Sequence, residues 1–325
     1  MNEKEKLIFI SVIISLIFFI VVNQFCIFAT NEKSYFDDGL KDKKVIGATY
    51  MTMNNSYFKI INEEIRNRVE EEGDVLITRD PALNLQKQID EIYEFIDLKV
   101  DAIFINPIDW IGIKSALKDA KAAGIIIIAI DTDVYEDDVV DCTIVSDNYE
   151  AGVQCADELI KSKNGGNVLL LEHSTAKSAI DRIKGFENTI SKNSNFKVIA
   201  RSNCNGQLEI AMPVTEKLLK EANNNIDVIM ALNDPSALGA IMALDNMKLK
   251  NISVYGIDGS PDGKKMVKEG KMAATISQSP RKIGRMSYQS LYDIFNKKPI
   301  DKKIVVPVKL INKSNVDNYK IDAWD

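Results

Sequence analysis

Ten short apolar runs, many of their residues β-branched, recur along this chain with longer segments of helical period between them. They read KVIGATY, DVLIT, DAIFIN, IIIIAI, CTIV, NVLLLE, FKVIAR, DVIMAL, ISVYGI and AATIS. A strand with one wet face alternates polar and apolar residues, whereas continuous apolar runs suit strands covered on both faces of a parallel sheet. The intervening segments are amphipathic. In NLQKQIDEIYEFIDLK, Ile89, Ile92, Tyr93 and Ile96 fall at i, i+3, i+4 and i+7, one face of a helix. KGFENTISKNS and QLEIAMPVTEKLLKEANNN behave the same way. Repeated β-α units predict an α/β fold with helices on both sheet faces. There are too many units for one small sheet, and a break falls at IVSDNYEAG, where Ser146, Asp147 and Asn148 can cap a new helix. Two lobes are therefore expected.

Composition excludes several function classes. The net charge is −6 and no long basic block occurs, which weighs against a nucleic-acid partner. The one histidine, His173, and the cysteines at 26, 142, 155 and 204 show no C-x-x-C spacing, so no metal site is expected. Cys142 and Cys155 read as small buried hydrophobes. At the N-terminus, Leu7 to Ala29 is apolar with few interruptions and as a helix would reach about 35 Å, enough to cross a bilayer. This is longer than a signal-peptide apolar region, so residues 1–30 are expected to form an uncleaved anchor, with a cleaved signal ending at Ala29 as the alternative. The bulky, polar NQF before Cys26 argues against a lipid anchor. Residues 31–43 form a polar tether. Charge leaves the orientation open, since Lys4 and Lys6 on one side oppose Lys41, Lys43 and Lys44 on the other.

In open α/β sheets, ligands bind beyond the carboxyl ends of the strands. The first residues after each run are Asn54, Asn55, Tyr57 and Phe58; PIDW; Asp131 to Asp133; Asn233 and Asp234; DGSPDG from Asp258; and Gln278. Singly, Asp109, Asp234, Ser260 and Asp262 read as helix caps. Together the strand ends supply amides, carboxylates and aromatics. Amides and carboxylates exchange hydrogen bonds with hydroxyls, and aromatic faces cover the C–H faces of a sugar ring. A small, neutral, polyhydroxylated ligand fits that inventory. Enzyme motifs are missing: there is no G-x-x-x-x-G-K-[ST] loop, and no G-x-G-x-x-G follows the first run. His173 reads as a loop or capping histidine, and Asp133 as a cap or surface residue rather than a glycosidase partner of Asp131. No catalytic residue or cofactor is expected.

TMNNSYF, INPID, SDNYEAG, RIKGF, ALNDPSALGA, GIDGSPDGKK and GKMAATISQSPRKIG, in that order and spacing, resemble the type I periplasmic sugar-binding proteins, nearest their ribose-binding branch. The similarity runs from about Lys44 to Asn312. It implies two Rossmann-like lobes with parallel sheets, joined by a three-strand hinge and closing on a monosaccharide. The first lobe would take 44–145 and 279–307, and the second 146–278 and 308–325, with crossings near Ser146, Gln278 and Pro307. By resemblance, Asn55, Tyr57 and Phe58 match the first-loop contacts, Asp131 the carboxylate for ring hydroxyls, and Arg182 an arginine from the second lobe. Asn233, Asp258 and Gln278 match the remaining polar contacts. Thr132 stands where the ribose binders have arginine, and Gly206 where an aromatic is common. These departures leave room for a different epimer or a slightly larger ring, with a pyranose pentose such as D-xylose favoured.

The resemblance places the binding domain outside the cytoplasm and implies two partners. One is a membrane histidine kinase, because membrane-anchored relatives sense xylose beside LytS-type kinases; the other is a sugar ABC permease. Related DNA-binding repressors carry an N-terminal helix-turn-helix, whereas this chain has an apolar segment there, which argues against repression.

Overall fold

A computed structural model describes residues 42–324. The proposed anchor at 1–30 and most of the tether lie outside them; among the described residues no helix is long and apolar enough to cross a membrane. The chain builds two six-stranded sheets. The first has the order β11-β5-β4-β3-β1-β2 and uses β1 (Val45–Thr49), β2 (Val75–Arg79), β3 (Ala102–Ile105), β4 (Ile126–Ile130), β5 (Cys142–Ser146) and β11 (Lys303–Val306). The second has the order β12-β10-β9-β8-β6-β7 and uses β6 (Gly166–Glu172), β7 (Phe196–Asn203), β8 (Val228–Ala231), β9 (Ser253–Asp258), β10 (Ala274–Ser277) and β12 (Lys309–Asn312). The ten apolar runs supply β1 to β10. β3, β4 and the central strands of the second sheet are buried along nearly their whole length, as their continuous apolar sequences require.

The last two strands were not among the ten runs. β11 and β12 close opposite sheets at their edges and bury little more than one face, so their sequences, KIVV and KLIN, lack the continuous apolar signature. β11 pairs parallel to β5, whereas β12 pairs antiparallel to β10, which departs from the all-parallel expectation. The chain changes sheet between β5 and β6, between β10 and β11, and between β11 and β12. Asp147 at the first change donates its N–H to the Val306 carbonyl at the last, 2.9 Å away, so two crossings are stitched together.

Helices cover the sheets: α1 (Ser56–Glu71), α2 (Leu85–Asp97), α3 (Lys114–Ala122), α4 (Asn148–Ser162), α5 (Lys177–Ile190), α6 (Leu208–Glu221), α7 (Asp234–Met247), α8 (Pro261–Glu269) and α9 (Pro280–Phe295). Asp147 caps α4 by accepting the Glu150 N–H. The fully buried stripe of α2 is Gln88, Glu91, Ile92 and Phe95; of the predicted face Ile92 is buried, Ile89 and Ile96 are half-buried, and Tyr93 is exposed. Two polar side chains turn inward because they have partners there. Gln88 bonds the Asn106 carbonyl and the Ile108 N–H, and Glu91 accepts the Thr49 hydroxyl. Periodicity alone could not register those bonds.

The α4–α5 crossing positions the site directly. A Cβ at Gly152 would overlap the Arg182 carbonyl oxygen, and one at Gly185 the Tyr149 carbonyl oxygen. The two helices meet backbone to backbone, and Arg182 leaves α5 at that contact. Replacing Gly185 with Ala must separate the helices, an overpacking cost of about 1–3 kcal/mol. Urea denaturation should show a lower midpoint for Gly185→Ala with an unchanged slope.

Candidate functional site

Each sheet places its first five strands in the order 2-1-3-4-5, so connections diverge between β1 and β3 and again between β6 and β8. Such divergence opens a crevice at the carboxyl ends. The two crevices face one another across a cavity. Its wall includes Asn55, Tyr57, Phe58, Asp131, Arg182, Asn233, Asp258 and Gln278. The structure therefore brings these eight sequence-selected residues together.

Arg182 is the centre of the polar wall and is 4% exposed. It donates to Asn148 Oδ1 at 2.8 Å, to the Leu232 carbonyl at 3.1 Å and to Gln278 Oε1 at 2.9 Å. Asp131 Oδ1 lies 4.0 Å and Asp258 Oδ1 3.9 Å from its terminal nitrogens. Gln278 links the lobes: it accepts from the Tyr57 hydroxyl at 3.2 Å and donates to Asp258 Oδ1 at 2.7 Å. Asp131 Oδ1 and Asp258 Oδ2 are buried without a hydrogen bond. A buried carboxylate oxygen left unpaired is costly, and a ligand hydroxyl would satisfy it.

The backbone is strained at the same two residues. Asp131 has φ 67° and Asp258 φ 151°, conformations that cost a non-glycine residue about 1–3 kcal/mol. Both carboxyls are held above the usual range, Asp258 well above it. Burial is the main cause for each; the neighbouring Asp234 adds to it at Asp258, and the Arg182 charge opposes it at both.

Several predicted roles change. Thr132 does not line the cavity; its buried hydroxyl accepts the Ser178 N–H at 2.9 Å and joins the lobes behind the wall. One of the two departures that pointed to D-xylose therefore supplies no wall group. Asn233, not Asp234, caps α7: its Oδ1 accepts from Ser236 N–H and hydroxyl, and its Nδ2 donates to the Gly206 carbonyl. Asp234 is buried and accepts from Ser260 and Thr275. Asn55 likewise caps α1 through the Tyr57 N–H. Ser260 caps α8, while Asp109 closes a turn before α3 rather than the helix itself. Asp133 pairs with Lys303 at 2.5 Å.

Residues that sequence reasoning passed over also line the cavity, chiefly His173, Gln207 and Met51. His173, read from the sequence as a loop or capping histidine, directly follows β6, where the strand-end rule places ligand contacts. Gln207 follows β7, which runs two residues beyond the predicted FKVIAR. Trp324 packs on Tyr57 with ring centroids 5.7 Å apart. Cys142, Cys155 and Cys204 are buried free thiols, and no metal-binding cluster occurs among the described residues.

The family model described as a periplasmic binding protein domain matches residues 46–299. The ribose import binding protein of Bacillus subtilis is 31% identical over 276 residues, covering 84% of this chain and 89% of the relative. The galactofuranose-binding protein YtfQ of Escherichia coli is 33% identical over 229 residues, 67% of this chain and 72% of the relative. The crystal structure of a galactofuranose binding protein superposes with a TM-score of 0.80 at 26% identity, covering 85% of this chain and 96% of the other.

The buried groups give a pH dependence with opposite signs. Carboxyls raised in the folded state stabilise it most below about 4, and that contribution is lost as pH rises through the raised values. His173, which burial depresses to about 4 against an opposing Asp109 charge, contributes above about 6.5 and loses its contribution as pH falls toward 4. The stability difference between wild type and Asp258→Asn isolates the carboxylate. Denaturation from pH 4.5 to 8 should show wild type losing stability relative to the variant as pH rises; a flat difference would contradict the raised Asp258.

Proposed function

We propose that this chain, which belongs to the family of periplasmic binding protein domains, is a receptor that closes its two lobes around a monosaccharide. It is a solute-binding protein and not an enzyme. One observation carries the ligand chemistry: Asp131 Oδ1 and Asp258 Oδ2, from opposite lobes, are buried and lack hydrogen bonds beside a shared guanidinium. Neutral hydroxyls donate to both oxygens without adding a charge, while Tyr57 and Phe58 offer apolar faces to a ring. Bonds to both lobes at once form only when the lobes are together, so ligand free energy favours the closed form. The names of the relatives, for ribose and galactofuranose, agree with a sugar. D-xylose keeps a place among the sugars to test, since the wall has neither an arginine at position 132 nor an aromatic at position 206.

Closure has two candidate readers. Import by the ribose-named relative favours delivery to an ABC permease. The apolar Leu7–Ala29 stretch favours a receptor held at the membrane, with the binding domain outside the cytoplasm, beside a histidine kinase whose activity follows closure. Sugar-dependent ATPase stimulation of a permease supports the first, and sugar-dependent kinase autophosphorylation the second.

Calorimetric titration with D-xylose, D-ribose, L-arabinose, D-glucose and D-galactose should show micromolar, single-site binding of one sugar without turnover. Asp131→Asn and Arg182→Met should each weaken it about a hundredfold, about 2.7 kcal/mol, while a cooperative unfolding transition persists. Unaltered affinity in both variants would overturn the site.

A further inference from the structure

Strand order ranks the cavity-lining residues of the second lobe in space. Along β10-β9-β8-β6-β7, the carboxyl ends carry Gln278, Asp258, Asn233, His173, and then Asn205 with Gln207. Neighbouring strands lie about 4.8 Å apart, so β6 stands about 10 Å from β9, and β7 about 14 Å. A six-membered sugar ring with its hydroxyl oxygens is roughly 6 Å across from covalent dimensions. A ring bound at Asp258, Gln278 and Arg182 ends near Asn233 and leaves the β6–β7 end of the cavity to something else.

That end is polar and under-used. His173 is 5% exposed and lines the cavity, yet its ring makes no hydrogen bond among the described residues. Gln207 is 7% exposed and spends its amide only on a long 3.4 Å bond to the Asn205 carbonyl, leaving its Oε1 without a partner among the described residues. Between them Gly206 holds φ 69°, and a Cβ there would press on Asn233 Nδ2 at 2.9 Å, so no side chain fills the space. Asn233 has its Oδ1 committed to capping α7 and cannot serve this end as an acceptor.

We propose that the ligand carries a hydroxylated arm beyond its ring, and that His173 and Gln207 read that arm and set specificity for it. This rests on the sugar-receptor reading and names its substrate class: sugars bearing an exocyclic hydroxymethyl or longer group, in preference to pentopyranoses such as D-xylose. A neutral imidazole has one donor and one acceptor nitrogen, which suits a hydroxyl. Burial keeps His173 neutral at physiological pH. The ring also borders an outer groove that includes Glu172 and Arg201, so a purely space-filling role is the competing account.

Three sugar pairs differ only by the hydroxymethyl group of the pyranose ring: D-xylose and D-glucose, D-ribose and D-allose, L-arabinose and D-galactose. The full-length chain in a polyoxyethylene detergent should be titrated with all six, as wild type, His173→Leu, His173→Gln and Gln207→Leu. The expected result is that the six-carbon member of the best-bound pair binds at least tenfold tighter to wild type. His173→Leu and Gln207→Leu should shrink that ratio toward one while leaving the five-carbon member within threefold, and His173→Gln should retain most of the preference. Equal or tighter five-carbon binding, or equal weakening of both members by His173→Leu, would overturn the proposal and leave the sugar receptor standing. Failure of wild type to bind any of the six would remove both.

Discussion

One buried cation organises the cleft. Arg182 is held by Asn148 and the Leu232 carbonyl on its own lobe and by Gln278 at the crossing, with Asp131 and Asp258 near it on either side. A guanidinium suits this place because it stays charged and its fixed fork serves several acceptors at once. Buried charge is tolerated only when paired and hydrogen-bonded. The backbone contact of α4 and α5 at Gly152 and Gly185 fixes where Arg182 starts, and the strand ends fix where its partners lie.

The balance around that cation is incomplete by design of the backbone. Two carboxylates are presented on strained residues, each with an oxygen that no protein group satisfies. In a protein interior, neighbours would relax to supply a donor. Here the carboxylates sit on opposite lobes and are aimed by strand ends, so the deficit persists as a binding property. Strain, desolvation and missing hydrogen bonds converge at Asp131 and Asp258, and hydroxyl donors offset the last two.

The lobes also hold one another directly. Trp110 N–H donates to the Thr175 carbonyl at 3.1 Å, the Thr175 hydroxyl donates to the Ile108 carbonyl at 3.0 Å, and Thr132 receives the Ser178 N–H. These bonds exist only with the lobes together. Each is worth about 1 kcal/mol net, too little to fix closure yet enough to shift its equilibrium several-fold. Thr132 thus acts on the site through lobe contact and not through the sugar.

The sequence by itself determined the β-α alternation, the first ten strands, the existence of two lobes and the loops that form the cavity. Those features are local: apolar run length and helical period are written in neighbouring residues. Only the tertiary structure decided what depends on distant partners. Gln88 and Glu91 face inward because Asn106, Ile108 and Thr49 meet them there. β11 and β12 are strands because each finds an open sheet edge, although KIVV and KLIN carry little signature of their own. Asn233 caps while Asp234 is buried, since Ser260 and Thr275 converge on Asp234. His173 and Gln207 become wall residues through strand order, which sets their distance from Asp258 and which no spacing along the chain encodes. A hydrogen bond or a sheet edge is satisfied by whatever the fold brings near, and that neighbourhood exists only after the chain has folded.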